Sequence, residues 1–210
     1  MSALLVLTSS SDGTEMKLLE NEAGCSRPTL FKVLRLLRSA GIVSKVGKKI
    51  IITDNFVSEF AQNYANALEN ILLADANGHN VAIRVRKHVI VRTDAKEVPS
   101  LFSETGINLL VKKGLVAIQT TYNDYYFNLD RIKRNPGIEE AFIHALLLST
   151  LQQHQDKPVL AVFMMKNQAK LNIGKLRELA DGYHVSGNVS QITKELEILR
   201  NVTDYYQKAK

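Results

Sequence analysis

The sequence has no tryptophan, one cysteine and four prolines among its 210 residues. A single thiol, Cys25, excludes an intrachain disulfide framework and a cysteine-based zinc site, and it suits a reducing compartment. No stretch approaches the ~20 uninterrupted apolar residues of a spanning helix. The opening Met1-Ser-Ala-Leu-Leu-Val-Leu-Thr8 is too short for that, and it has no basic leader region to act as an export signal. The expectation is a cytoplasmic protein without membrane contact. Internal repeats and low-complexity tracts are also missing, and the glycines stand singly, so no G-x-G-x-x-G or Walker-type phosphate loop is present. What remains is an ordinary globular composition, 45% hydrophobic and 23% charged, long enough for one or two cores.

One further absence is local and more informative. Between Glu22 and Asp54 there is no acidic residue, while Arg27, Lys32, Arg35, Arg38, Lys45, Lys48 and Lys49 fall in the same stretch. The formal net charge of +6 is a mild bias by itself; its concentration in one segment points to an anionic partner.

The elements predicted around that segment give the charge a surface. The apolar opening forms a first helix, broken at Ser11-Asp12-Gly13. Thr14 and Glu15 start a second, running from Glu15 to about Glu22, and Gly24 makes a tight turn. Ser26 is a good N-cap, with Pro28 in the first turn where its missing N–H costs nothing. The third helix ends near Ala40, and Gly41 suits the left-handed position beyond it. Leu30, Leu34 and Leu37, with Val33 alongside, form a buried stripe; Arg27, Thr29, Phe31, Lys32, Arg35 and Arg38 face away. Two β-branched runs, Ile42–Val46 and Lys49–Thr53, flank Gly47-Lys48 as a hairpin tipped with lysines. Three helices followed by a basic hairpin is the order of a winged helix-turn-helix.

On this reading residues 1–53 bind double-stranded DNA. The third helix would enter the major groove, with Arg27 and Lys32 reaching guanine edges or phosphates. Thr29 and Phe31 could meet a thymine methyl, though Phe31 is equally compatible with the core. Ser26 and Arg35 complete the helix's contact set, and Lys45, Lys48 and Lys49 would lie along the backbone or minor groove. Arg38 is explained as well by the helix dipole. The segment Ser26-Arg-Pro-Thr-Leu-Phe-Lys-Val-Leu-Arg-Leu-Leu-Arg-Ser-Ala-Gly-Ile-Val43 resembles the recognition helix and wing entry of transcriptional regulators of the MarR and ArsR kind. The whole chain is similar to archaeal regulators that carry an extra α/β domain. It lacks the paired cysteines and histidines of metal-sensing relatives, so the resemblance implies no metal.

From Asp54 onward Phe56, Phe60, Tyr64, Leu68, Ile71 and Leu72 recur at helical spacing. This helix either packs on its own domain or pairs with a second copy, because operator half-sites favour a two-fold protein. A polar, glycine-containing seam, Ala74 to Asn80, then separates residues 1–73 from residues 80–210. Beyond it Val81–Arg92 reads as a hairpin turning near Arg86–His88, and Pro99–Lys113 as a helix. Leu115–Thr121 and Tyr125–Leu129 read as a second hairpin. Helices follow over Pro136–Thr150, Val159–Met165, Ile173–Ala180 (capped by Asn172) and Ser186 to about Arg200. Arg84, Arg86, Lys87 and Arg92 either extend the DNA surface or form a solvated sheet face. The fold class expected is α+β: a winged helix plus a C-terminal domain with a small sheet and several helices.

That C-terminal region resembles the trailing helices of nucleotidyltransferase-like proteins and the non-catalytic domain of abortive-infection antitoxins. Nucleotidyl transfer needs closely spaced carboxylates on a strand to hold Mg²⁺ against a triphosphate, and the strands here carry arginine and valine instead. His79, His88, His144, His154 and His184 lack ligand spacing, and His144 reads as a satisfied core histidine. Cys25 reads as buried in its turn, and Glu139 and Glu140 as a pair favouring a helix dipole. No enzymatic site, cofactor or metal is expected. The function expected is a sequence-specific, dimeric transcriptional regulator whose C-terminal domain takes a protein partner or a small-molecule effector. The alternative is an antitoxin-like interaction protein that silences a partner through that domain and regulates its own synthesis through DNA.

Overall fold

The computed structural model describes residues 1–10, 12–115, 121–151, 157–194 and 196–197. The chain is a mixed α+β protein with two small antiparallel sheets. The first sheet belongs to the N-terminal part. Helix α1 (Ser2–Leu7) leads through strand β1 (Thr14–Glu15) into α2 (Met16–Glu22) and α3 (Arg27–Ser39), followed by strands β2 (Val43–Val46) and β3 (Lys49–Ile52). The sheet order is β1-β3-β2, so β3 is central. Val6, Leu7, Leu19, Leu30, Leu34, Val43 and Ile50 form one core under these elements. Within α3, Leu30 and Leu34 carry the buried stripe and Leu37 flanks it; Val33, expected beside them, is exposed. The register explains this: Val33 lies one position off the 30–34–37 row, about 100° around the helix.

Helix α4 (Asn55–Asp75) follows, started by Asp54, whose carboxylate accepts the Val57 N–H at 3.0 Å. It extends into the expected seam. The second sheet is built from β4 (Asn80–Val85), β5 (His88–Thr93), β6 (Ser103–Glu104) and β7 (Asn123–Asn128), in the order β4-β5-β7-β6. Every residue of β5 is buried, and its alternation divides the core between two faces. Val89 and Val91, with Phe127, pack against Leu5 of α1 and Ala65 and Leu72 of α4. Ile90 and Tyr126 face the opposite way, toward helix α6 (Ile138–Leu151). The parts on either side of the seam therefore share a core. Helix α6 is buried from Glu139 through Ser149, and an all-round apolar helix of this kind is a core element. Around it pack α5 (Gly106–Lys112), α7 (Lys157–Lys166) and α8 (Ile173–Gly182), with residues 186–194 also helical.

Two expectations need correction. The helix expected over Pro99–Lys113 begins only at Gly106, because Ser103 and Glu104 pair with Tyr126 and Tyr125 as an edge strand. Gly106 has φ 54, and a side chain there would collide with the Asp124 carboxylate. The expected second hairpin is not how β7 pairs: its partners are β5 and β6. Of the expected strand 115–121, residues 116–120 lie outside the described residues, as does the end of the last expected helix, 198–200.

Candidate nucleic-acid interface

Helix α3 starts as its sequence dictates. The Ser26 side chain accepts the Thr29 N–H at 3.4 Å, its hydroxyl lies 2.8 Å from the Thr29 hydroxyl, and Pro28 occupies the first turn. Gly41, at φ 74, ends it. This fixes which side faces the core and leaves the other to solvent. Ser26, Arg27, Thr29, Phe31, Lys32 and Arg35 are all exposed, as are Lys45, Lys48 and Lys49 on the β2–β3 hairpin. Gly47 and Lys48 make its two-residue turn, with Gly47 at the first central position.

One residue in this set is more organised than sequence could indicate. Arg27 Nε is 3.0 Å from Glu20 Oε1, and its guanidinium lies 5.5 Å from the centre of the Phe31 ring. Phe31 is 42% exposed, so it belongs to the surface and not to the core, where it holds Arg27 in a cation–π contact. Arg38, also exposed, sits in the last turn of α3, where a cation favours the helix dipole. Cys25, expected in the interior of its turn, is exposed.

The basic residues of the β4–β5 hairpin behave differently, and neither sequence alternative holds for them. Arg84 is 2.7 Å from Glu69, Arg86 2.5 Å from Glu22, Lys87 2.6 Å from Asp130 and Arg92 2.7 Å from Asp124. Lys87 and Arg92 are buried. These cations neutralise internal carboxylates; they are not a solvated face, nor is each free to meet a phosphate.

A buried polar network behind the hairpin was not legible beforehand. His88 Nδ1 lies 2.8 Å from the Tyr126 hydroxyl and 2.7 Å from Asn128 Oδ1. Glu140, read as a helix-start charge, accepts Arg134 at 2.5 and 3.0 Å and the Tyr183 hydroxyl at 2.9 Å. Glu139 accepts the Asn172 N–H at 3.1 Å and Lys175 at 3.3 Å. His144, fully buried, shares a hydrogen bond of 2.7 Å with Thr105 through Nδ1, while its Nε2 has no partner. It is thus only half satisfied.

Burial pushes the His144 imidazole well below its ordinary range, with His88 and Arg134 acting the same way. Burial, then Glu140, pushes the Tyr183 phenol well above its own. The signs give a stability curve that falls at both ends. The unfolded chain protonates His144 as pH drops through about 6.5 and the folded chain resists, so stability is lost on acidification. The Tyr183 contribution is complete below about pH 10 and is lost above it. Thermal midpoints measured from pH 9 to pH 5 should decline over the acid limb. His144→Leu should flatten that decline between pH 7 and 5; an unchanged limb would show that another group causes it.

Among the described residues, no group of three or more histidines, cysteines or carboxylates is placed to hold a metal ion, and no helix is long and apolar enough to cross a membrane. His154 lies outside the described residues. No protein-family model, characterised protein or solved structure matches this chain.

Proposed function

We propose that residues 1–73 bind double-stranded DNA as the winged-helix part of a cytoplasmic, sequence-specific transcriptional regulator. The observation that carries this reading is the coincidence of exposure and charge. All nine candidate contact residues on α3 and the β2–β3 hairpin are exposed, in a segment without a carboxylate between Glu22 and Asp54. The order of α1, β1, α2, α3, β2 and β3, with β3 central, supports it as well. Arg27 is the residue best placed for base reading. Glu20 and Phe31 restrict its side chain, which lowers the entropy lost on contact, and it stands at the start of the helix whose N-terminal half meets base edges. Arg27→Ala should cost ~1–3 kcal/mol on a preferred duplex and much less on random duplex. Fluorescence anisotropy on both duplexes measures this, and an equal loss on each would assign Arg27 to the backbone.

The regulator acts as a homodimer in this proposal. Phe56, Phe60, Tyr64 and Ile71 are exposed along α4, Phe56 at 78%, while Ala61, Ala65 and Leu72 are buried on the neighbouring row. The exposed row spans roughly 22 Å and contains no ionisable side chain other than that of Tyr64. A second copy laid antiparallel would set the Phe56 end of one helix against the Ile71 end of the other, the self-complementary arrangement a two-fold contact needs. Phe60→Glu should convert the dimer to monomer in sedimentation at micromolar concentration. A monomeric wild-type protein would rule this contact out.

A further inference from the structure

The buried network opens on a cleft that joins the two parts of the chain. Its volume is about 360 Å³, and its wall combines the end of α2 with the β4–β5 turn, the segment after β7, and helices α6 and α8. Protein interiors leave few voids larger than a water molecule, and this space falls within the ~300–1,000 Å³ range of small-ligand sites. Three ion pairs stand in the wall: Glu22 with Arg86, Asp130 with Lys87, and Glu140 with Arg134.

Their hydrogen-bonding capacity is unevenly used. Asp130 is engaged through both oxygens, Oδ1 by the Ile132 N–H and Oδ2 by Lys87 and Ser2. Glu140 is likewise engaged through both. Glu22 is not: Oε1 takes Arg86, but buried Oε2, 3.3 Å from His88 Nε2, is out of hydrogen-bond alignment. Glu178 lines the same cleft, is exposed, and forms no ion pair among the described residues. On the donor side, Arg86 commits Nη1 alone to Glu22, and the Arg134 side chain is 46% exposed beside Glu140. The cleft thus offers spare acceptors and spare guanidinium donors together. Its wall holds four carboxylates against Arg86, Lys87 and Arg134, so a simple anion gains little there. A cation alone would leave the guanidinium donors unused.

We infer that this cleft binds a small zwitterion of the free α-amino-acid class. Its ammonium meets Glu22 Oε2 and Glu178, and its carboxylate meets Arg134 and Arg86. The consequence for DNA rests on the reading above. Glu22 is the last residue of α2, and α3 begins at Arg27, so a ligand that competes with Arg86 for Glu22 bears directly on how α3 is held. Linkage then requires that the amino acid and the operator alter each other's affinity by the same factor.

The test is isothermal titration of the full chain with the twenty standard L-amino acids, one at a time, and with acetate and methylammonium as half-ligands. At least one amino acid should bind in the micromolar to millimolar range, with no binding of either half-ligand at tenfold higher concentration. Glu178→Gln, at an exposed position where folding is not at stake, should weaken binding at least tenfold. Silence from all twenty, or acetate binding that Glu178→Gln leaves unchanged, would overturn the site. The successful amino acid is then added to a DNA titration. Ligand binding by a protein that does not bind DNA would sustain the site and overturn the regulator; DNA binding with silence from all twenty would do the reverse.

Discussion

Asp124→Ala is expected to destabilise the protein by about 3–5 kcal/mol, the range seen when one partner of a buried ion pair is removed. Asp124 is 1% exposed. Its Oδ1 accepts Arg92 Nε at 2.7 Å and its Oδ2 accepts Nη2 at 3.0 Å, a two-pronged contact between neighbouring strands. Oδ2 also accepts the Ile107 N–H at 2.8 Å, tying the first turn of α5 to the sheet. Alanine would leave the Arg92 guanidinium buried without this carboxylate and strip a helix N–H of its acceptor. Against a total stability of ~5–15 kcal/mol this is a large share, so urea unfolding should show a midpoint shifted far downward. A shift under 1 kcal/mol would mean that the pair is not desolvated as described. Gly106→Ala should act on the same carboxylate from the other side, since the new methyl would meet Asp124 and the backbone there has positive φ.

Replacing Lys45, Lys48 and Lys49 together with alanine is expected to weaken binding to every duplex by a similar factor. If each lysine neutralises one phosphate, the slope of log affinity against log salt should become shallower by roughly 3. The fold should not suffer, because all three side chains are exposed on the β2–β3 hairpin and surface substitutions of this kind usually change stability within ±0.5 kcal/mol. An unchanged slope, or a loss confined to one sequence, would remove the hairpin from the backbone-contacting role.

The difference between these two substitutions marks how far the sequence could be read. Helix α3 was legible because its determinants are local: Ser26 caps it, Pro28 fits its first turn, Leu30 and Leu34 face inward, and Gly41 ends it. The exposed set follows from the same periodicity. The basic residues of the β4–β5 hairpin were not legible, because their partners are distant. Arg86 finds Glu22 64 positions away, Lys87 finds Asp130 at 43, and Arg92 finds Asp124 at 32. Local alternation says that such residues lie on a strand; it does not say that a carboxylate waits opposite. Edge strand β6 was missed for a similar reason, since two residues paired to Tyr125 and Tyr126 leave no period to detect. Glu140 looked like a first-turn acid, which it is, but its role comes from Arg134 and from Tyr183, which lies on the far side of α7 and α8 in sequence.

The central claim is that the N-terminal part reads DNA sequence. A salt-titrated binding assay on fragments from upstream of this protein's own gene, with random duplex as competitor, tests it most directly. The account predicts a preference of ~10³-fold or more for one fragment at moderate salt, with a two-fold symmetric site inside it. Weak binding of equal strength to all sequences, falling steeply with salt, would contradict it; the chain would then be a basic-surfaced protein whose specificity lies in a protein partner.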